Sequence, residues 1–285
     1  SDVKAGEHEA LAFAAVERRA ALEDLSTLQG PSGIATASSS TGCSLLAYWA
    51  VGEERRMVEL VRKNIDYLRR SLAGHCRVEV FLNHYKQQVL SSWNQKGKWY
   101  TENVQFSTAL PGNKFQSLHT NYKASWARYS WVWALDEDGD ITMTNLPLLF
   151  KYADASGALL AMPALTQEAG DGSTKLTWPH QHPVPTCLYR HVPVVEVIFP
   201  LIRPAVLDLV FMKCSDCIHK NTMWGLDNIW CGYAAHELID GAAQPDGAQT
   251  CVVVDATPIV HKNWKTLKNK YTHGGLEKSF VERGM

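Results

Sequence analysis

The segment Trp131-Val-Trp-Ala-Leu-Asp-Glu-Asp-Gly-Asp140 constrains this chain more than any other. An apolar run containing two Trp residues stops abruptly at three consecutive carboxylic acids, and a fourth follows just beyond a Gly. A short apolar run rich in Trp and Val predicts a buried strand. Carboxylates at the end of such a strand can hold a hard divalent cation together with a phosphate-bearing ligand. In an extended segment Asp136 and Asp138 lie on one side and Glu137 on the other. The competing reading is an acidic surface turn, because Asp and Gly favour turns.

The 285 residues are 46% hydrophobic and 20% charged, enough for one large α/β domain or two small ones. With a net charge of −1 and no long basic run, the chain lacks the electrostatic footprint of a nucleic-acid binder. No stretch reaches the roughly 20 uninterrupted apolar residues of a membrane span; 192–202 comes closest and is broken by Glu196 and two prolines. Seven scattered cysteines leave at least one unpaired and do not form the dense framework of a small secreted domain. No Asn-x-Ser/Thr sequon is present. The chain opens Ser-Asp-Val-Lys without a signal peptide. With a trimmed anchor the Golgi lumen is expected, and otherwise the cytoplasm.

Residues 1–30 predict an Ala-rich amphipathic helix, stopped by Gly30-Pro31, and 31–42 a small, Ser/Thr-rich linker. This helix reads as an appendage that could mediate homo-oligomer or partner contact. The main domain is expected over 43–285. A strand at 44–51, Gly52, a helix with Val58, Val61, Ile65, Leu68 and Leu72 on one face, Gly74 at its C-cap and a strand at 77–83 predict a right-handed parallel βαβ unit. On either side of 131–140 the pattern predicts helices at 115–129, 146–156, 204–217 and 226–237, and strands at 159–163, 192–200, 251–254 and 259–260. Alternation of this kind indicates an α/β fold with a mixed, mostly parallel sheet flanked by helices. Ligands in open α/β sheets sit beyond the carboxyl ends of the strands, where Gly52, Asn83-His-Tyr85 and Asp136-Glu-Asp138 all fall.

Other residues also suggest chemistry. Asp227, in Thr222-Met-Trp-Gly-Leu-Asp227, stands at a loop-to-helix junction beside Trp224, which could stack on a sugar ring; it suits a general base, or equally a helix-start acid. Asp255 and His261 close two expected strands and could add metal ligands, although a lone His is more often structural. Cys214, Cys217, His219, Cys231 and His236 admit a zinc site, or a helix face of core cysteines. His180 and His182 in the Glu168–Pro185 loop are either substrate contacts or simply exposed. An EF-hand counted from Asp136 fails, because Ile141 and Pro147 stand where Gly and Glu are required. A haloacid-dehalogenase-type phosphatase shares the apolar strand running into Asp-x-Asp-Gly, but Asp140 replaces its Thr. No phosphate loop of the Walker or dinucleotide type and no nucleophile elbow is present.

Taken in order, these blocks resemble a plant-type domain family labelled "lysine-ketoglutarate reductase trans-splicing related", itself similar to GT-A (Rossmann-like) glycosyltransferases. The resemblance covers about 45–267 and rests on Ala50-Val-Gly52, Val80-Phe-Leu-Asn-His-Tyr85, Tyr129 through Asp138, Met162-Pro-Ala-Leu165, Val195-Glu196 through Pro200, Trp224-Gly-Leu-Asp227, Gly232-Tyr-Ala234, Val253-Val-Asp255 and Val260-His261. The connection at 220–223 is longer than the family's, and 168–185 does not align with it. The resemblance implies a glycosyltransferase that moves a sugar from a nucleotide-sugar donor to a hydroxyl of a carbohydrate or glycoconjugate acceptor. It implies Mn2+ or Mg2+ on Asp136, Asp138 and His261, and donor contacts from Val51, Gly52, His84, Tyr85, Asp136 and Glu137. It further implies Asp227 as base, with Glu196 in reserve, and acceptor contacts from Trp224 and His219. A haloacid-dehalogenase-like phosphatase and a non-catalytic sugar-binding protein are the alternatives.

Overall fold

The apolar runs form the middle of a single sheet in the computed structural model, which describes residues 42–86, 91–167, 181–214, 217–218, 225–239, 250–262 and 264. The expected N-terminal helix, the linker apart from Gly42, and 168–180 lie outside the described residues. β1 (Cys43–Val51), α1 (Arg55–Ser71) and β2 (Cys76–His84) form the parallel βαβ unit, with Cys43 paired to Cys76 and Val51 to His84. α1 buries Met57, Val58, Leu60, Val61, Ile65 and Leu68 on one face. Each large apolar side chain on it contributes about 1.5–3 kcal/mol of transfer free energy. Gly74 takes a positive φ of 77° beyond the helix, a conformation open to glycine at little cost.

The chain continues through α2 (Lys98–Asn103), β3 (Phe106–Thr108), α3 (Lys114–Asn121), β4 (Trp131–Leu135), β5 (Gly139–Asp140), α4 (Leu146–Ala155) and β6 (Leu160–Gln167). β7 (Arg190–His191), β8 (Leu201–Ile202), α5 (Pro204–Asp208), α6 (Leu226–Leu238) and β9 (Cys251–His261) complete it. Among the described residues the sheet has the order β3-β2-β1-β4-β8-β6-β9-β5, with β7 on β9. Its first four strands are parallel, β8 runs antiparallel to both neighbours, and β6 and β9 are parallel to each other. The mixed, mostly parallel sheet flanked by helices is therefore the architecture of this chain. Trp131, Val132, Trp133, Ala134 and Leu135 of β4 are all buried. No described helix is long and apolar enough to cross a membrane.

Several sequence expectations are corrected. The strand expected at 192–200 is absent: only Leu201–Ile202 joins the ladder there. Pro193 and Pro200 carry no N–H, so this stretch cannot complete a ladder. It runs beside β4 instead, accepting Ala134 N–H at Pro200 O and Asp136 N–H at Ile198 O. The helix expected at 115–129 divides into α3 and a 3₁₀ turn, Ala124–Arg128. The one expected at 204–217 becomes α5 and a π turn, Leu209–Lys213. The two strands expected at 251–254 and 259–260 are one, β9, whose register on β6 slips between Pro163 and Leu165.

The cysteines are paired as Cys43–Cys76, Cys214–Cys217 and Cys231–Cys251, with Cys187 free. The zinc reading of Cys214, Cys217 and Cys231 falls with this, since thiolates engaged in disulfides cannot ligate a metal. The bonds tie β1 to β2 and α6 to β9, which restricts the unfolded chain.

The side chain of Asn64, fully buried on α1, donates to Gly139 O at 2.6 Å and accepts from Ile141 N at 3.2 Å. It thus braces the backbone just after the acidic turn. Asn64→Ala should lower stability by about 2–4 kcal/mol, read as a fall in the urea midpoint, because two buried backbone groups lose their partner.

Candidate active site

β4 delivers its apolar residues to the core and ends at Leu135, so the three acids that follow form a turn at the carboxyl end of the parallel strands. The pleat sends them in opposite directions. Glu137 turns toward the ends of β1 and β2, where its carboxylate accepts Gly52 N–H at 2.6 Å and the Tyr85 hydroxyl at 2.7 Å. A Cβ on Gly52 would stand 2.5 Å from Tyr85 Oη, so only glycine permits this approach. Trp93 Nε1–H closes the arrangement by donating to Gly52 O at 2.7 Å. Burial pushes Glu137 up to about 7, against the opposing effect of its two hydrogen bonds. Glu137 is thus a latch joining three strand ends.

Asp136 and Asp138 have different partners. Asp136 Oδ1 lies 2.6 Å from Nζ of Lys114, whose side chain is only 3% exposed, whereas that of Asp136 is 36% exposed. The same ammonium donates to Ile198 O at 2.5 Å and Ala134 O at 3.2 Å. Burial drives the Asp136 carboxyl up and the Lys114 ammonium down, and each charge opposes the other's shift. Glu196, also buried, acts on Lys114 electrostatically. Asp138 Oδ2 lies 3.3 Å from Nε2 of His261, with both side chains about one-tenth exposed. Burial lowers the affinity of His261 for its proton, but the hydrogen bond and charge of Asp138 outweigh it and hold the imidazole above its usual value. β9 brings His261 here by pairing it with Gly139 of β5. A Cβ on Gly139 would collide with the Phe199 ring, so this crossing also requires glycine.

Among the described residues no group of three His, Cys, Asp or Glu side chains is gathered closely enough to hold a metal. The Asp138–His261 pair is a hard oxygen beside an imidazole nitrogen. That donor set fits Mn2+, with the remaining ligands from a bound phosphate or water, better than Mg2+, which takes oxygen ligands.

The other predicted site residues are distributed around this turn. Val51 is buried in β1, and Tyr85 lies over Gly52. His84 is buried between Trp93 and Tyr100, with Nε2 2.8 Å from the Tyr100 hydroxyl. It sits among core side chains. Asp227 is a buried acid in the first turn of α6. Trp230, on the same helix face three residues later, donates from Nε1 to Val195 O at 2.8 Å and meets Phe115 at 5.7 Å. α6 is thereby packed against the segments that carry Glu196 and Lys114. Trp224, His219 and His180 lie outside the described residues. Asp255 is not brought to the turn: its carboxylate is taken by Arg190 Nε at 3.1 Å and Val184 N–H at 3.0 Å. Asp140 pairs with Lys262 at 3.5 Å and Lys63 at 3.8 Å.

Lys114 escaped sequence reasoning, although a signal was present. Asn113 and Gln116 form a capping box, which places Lys114 first in α3. A cation there opposes the helix dipole, so its location serves something other than the helix.

No protein-family model matches this chain, and comparison with curated proteins finds no match. Among solved structures, the 1–349 fragment of S. aureus TarS in complex with UDP-GlcNAc aligns with 81% of this chain and 62% of its own, at 11% identity and a TM-score of 0.49. A mycobacterial protein aligns with 79% of this chain and 69% of its own, at 11% identity and a TM-score of 0.47. S. aureus TarS aligns with 77% of this chain and 36% of its own, at 11% identity and a TM-score of 0.48. The chain therefore spans less than two thirds of the TarS fragment.

Burial beneath the turn depresses His84 from 6.5 to about 4. In the unfolded chain the imidazole takes up a proton as pH falls below 6.5, while in the fold it stays neutral until about 4. Stability is thus fully present above 6.5 and is lost as pH falls toward 4, by roughly 3 kcal/mol from this group. Glu137, raised to about 7, shifts stability in the opposite sense over this range, so the His84 contribution is read as a difference: the stability of the parent relative to His84→Phe, from urea unfolding, should fall by roughly 3 kcal/mol between neutral pH and pH 4.

Proposed function

We propose that the chain is a metal-dependent glycosyltransferase of GT-A-like architecture, using a nucleotide-sugar donor and a hydroxyl of a carbohydrate or glycoconjugate as acceptor. The observation that carries this is the Asp138–His261 pair, 3.3 Å apart, at the carboxyl ends of parallel strands. Beside it Gly52 N–H donates to Glu137 of the turn at 2.6 Å, and a Cβ on Gly52 would collide with the Tyr85 hydroxyl. The ordered sequence blocks that resemble such enzymes supply the substrate class.

Asp138 and His261 would hold Mn2+ or Mg2+, which when bound supplies Lewis-acid neutralisation of a leaving diphosphate. The Val51–Gly52 turn would lie against the nucleotide. Asp227 would act as base. The acceptor oxygen forms its bond to the anomeric carbon as the bond from that carbon to the diphosphate oxygen breaks. The electron pair leaves with the nucleoside diphosphate, and the acceptor proton passes to Asp227. Attack opposite the leaving group inverts the anomeric centre. Glu196, which acts on Lys114, suits an acceptor contact or the reserve base. Three disulfides among the described residues favour folding in an oxidising compartment, such as the Golgi lumen.

Thermal shifts with UDP-, GDP- and CDP-sugars, each with and without Mn2+, test this reading. One nucleotide series should raise the melting temperature only when Mn2+ is present. Stabilisation by free glycans alone would indicate a sugar-binding protein, and release of phosphate from simple phosphate esters would indicate a phosphatase. Asp138→Asn should abolish metal-dependent transfer. Asp227→Asn should lower kcat by about 10²–10⁴-fold with donor binding intact; a parallel loss of donor binding would remove it as the base.

A further inference from the structure

We infer that Lys114 is a fixed internal cation that withdraws Asp136 from metal binding, leaving Asp138 and His261, among the described residues, as the ligands of the cation site. The inference rests on the metal-dependent reading above and divides the acidic turn by function.

Three acceptors surround the ammonium: Asp136 Oδ1 at 2.6 Å, Ile198 O at 2.5 Å and Ala134 O at 3.2 Å. An ammonium has three N–H donors, so all are engaged. With the side chain 3% exposed, water cannot replace a lost acceptor. The two carbonyls belong to β4 and to the segment beside it, so Lys114 cannot follow Asp136 if that carboxylate swings toward a metal. A divalent ion on Asp136 would also stand close to the buried Lys114 charge, and like charges repel. Asp138, by contrast, faces an imidazole, which can ligate a metal once it is neutral. The two acids take partners from different elements: α3 for Asp136 and β9 for Asp138.

Lys114 is therefore a positioning residue. It holds the Asp136 carboxylate in place as an acceptor, with 36% of that side chain still exposed. It also fixes the backbone at Ile198, two residues from Glu196, relative to the end of β4.

The test follows free Mn2+ by electron paramagnetic resonance as it is titrated into the full chain, alone and with UDP, GDP or CDP. Asp138→Asn and His261→Gln should each weaken Mn2+ binding about tenfold or more. The double variant Lys114→Met with Asp136→Leu removes both charges together and so leaves none buried alone. It should fold and keep the parent's Mn2+ affinity. If the double variant loses Mn2+ as Asp138→Asn does, Asp136 is a ligand and the inference is overturned. If the unsubstituted chain binds no Mn2+ under any of these conditions, the metal-dependent reading itself fails, and this inference with it.

Discussion

The buried ammonium of Lys114 is the constraint on which the geometry of the acidic turn depends. Removing one charge from such a pair costs about 3–5 kcal/mol, because the other is left in the interior without a partner. Here the ammonium is matched by one carboxylate and two carbonyls from separate stretches of chain, Ala134 and Ile198. That satisfaction makes the burial tolerable. It also explains how a segment barred from the sheet by its prolines still runs in register beside β4. The cost at the start of α3, where a cation faces the positive end of the helix dipole, is offset by the capping box of Asn113 and Gln116.

From this anchor the turn distributes its acids. Glu137 faces back to Gly52 and Tyr85 and fastens the ends of β1 and β2 to β4. Asp138 meets His261, and Asn64 secures the next peptide groups from α1. Consecutive carboxylates of similar intrinsic acidity thus acquire different surroundings: a desolvated latch, an acceptor neutralised by an ammonium, and a partner of an imidazole. The proximity of α6 to Val195 and Phe115, through Trp230, brings Asp227 into the same part of the molecule.

Much of the fold was legible in the sequence where the pattern is local. α1 shows its face at helical spacing, and β4 its unbroken apolar run, because each reflects one element against one core. Gly52 and Gly139 could be seen as glycines, but not as the points where Tyr85 and Phe199 approach. The stretch at 192–200 was misread because its Val and Ile content outweighed its prolines, although a ladder depends on N–H groups rather than on hydrophobicity. Asp255 looked like Asp138, an acid at the end of an apolar run. It differs in having Arg190, 65 residues away in sequence, and Val184 N–H on its carboxylate.

By itself the sequence determined the opening strand–helix–strand unit, the burial of β4, the end of that strand at three acids, and the opposite direction of Glu137. All of these follow from side-chain period and chemistry within a few residues. The tertiary structure alone decided which acid meets which partner: Lys114 from α3 on Asp136, His261 from β9 on Asp138, Gly52 and Tyr85 on Glu137, and cysteine with cysteine. Those pairings depend on strand order and register across the sheet, and these are set by the packing of the whole core rather than by any short stretch of chain.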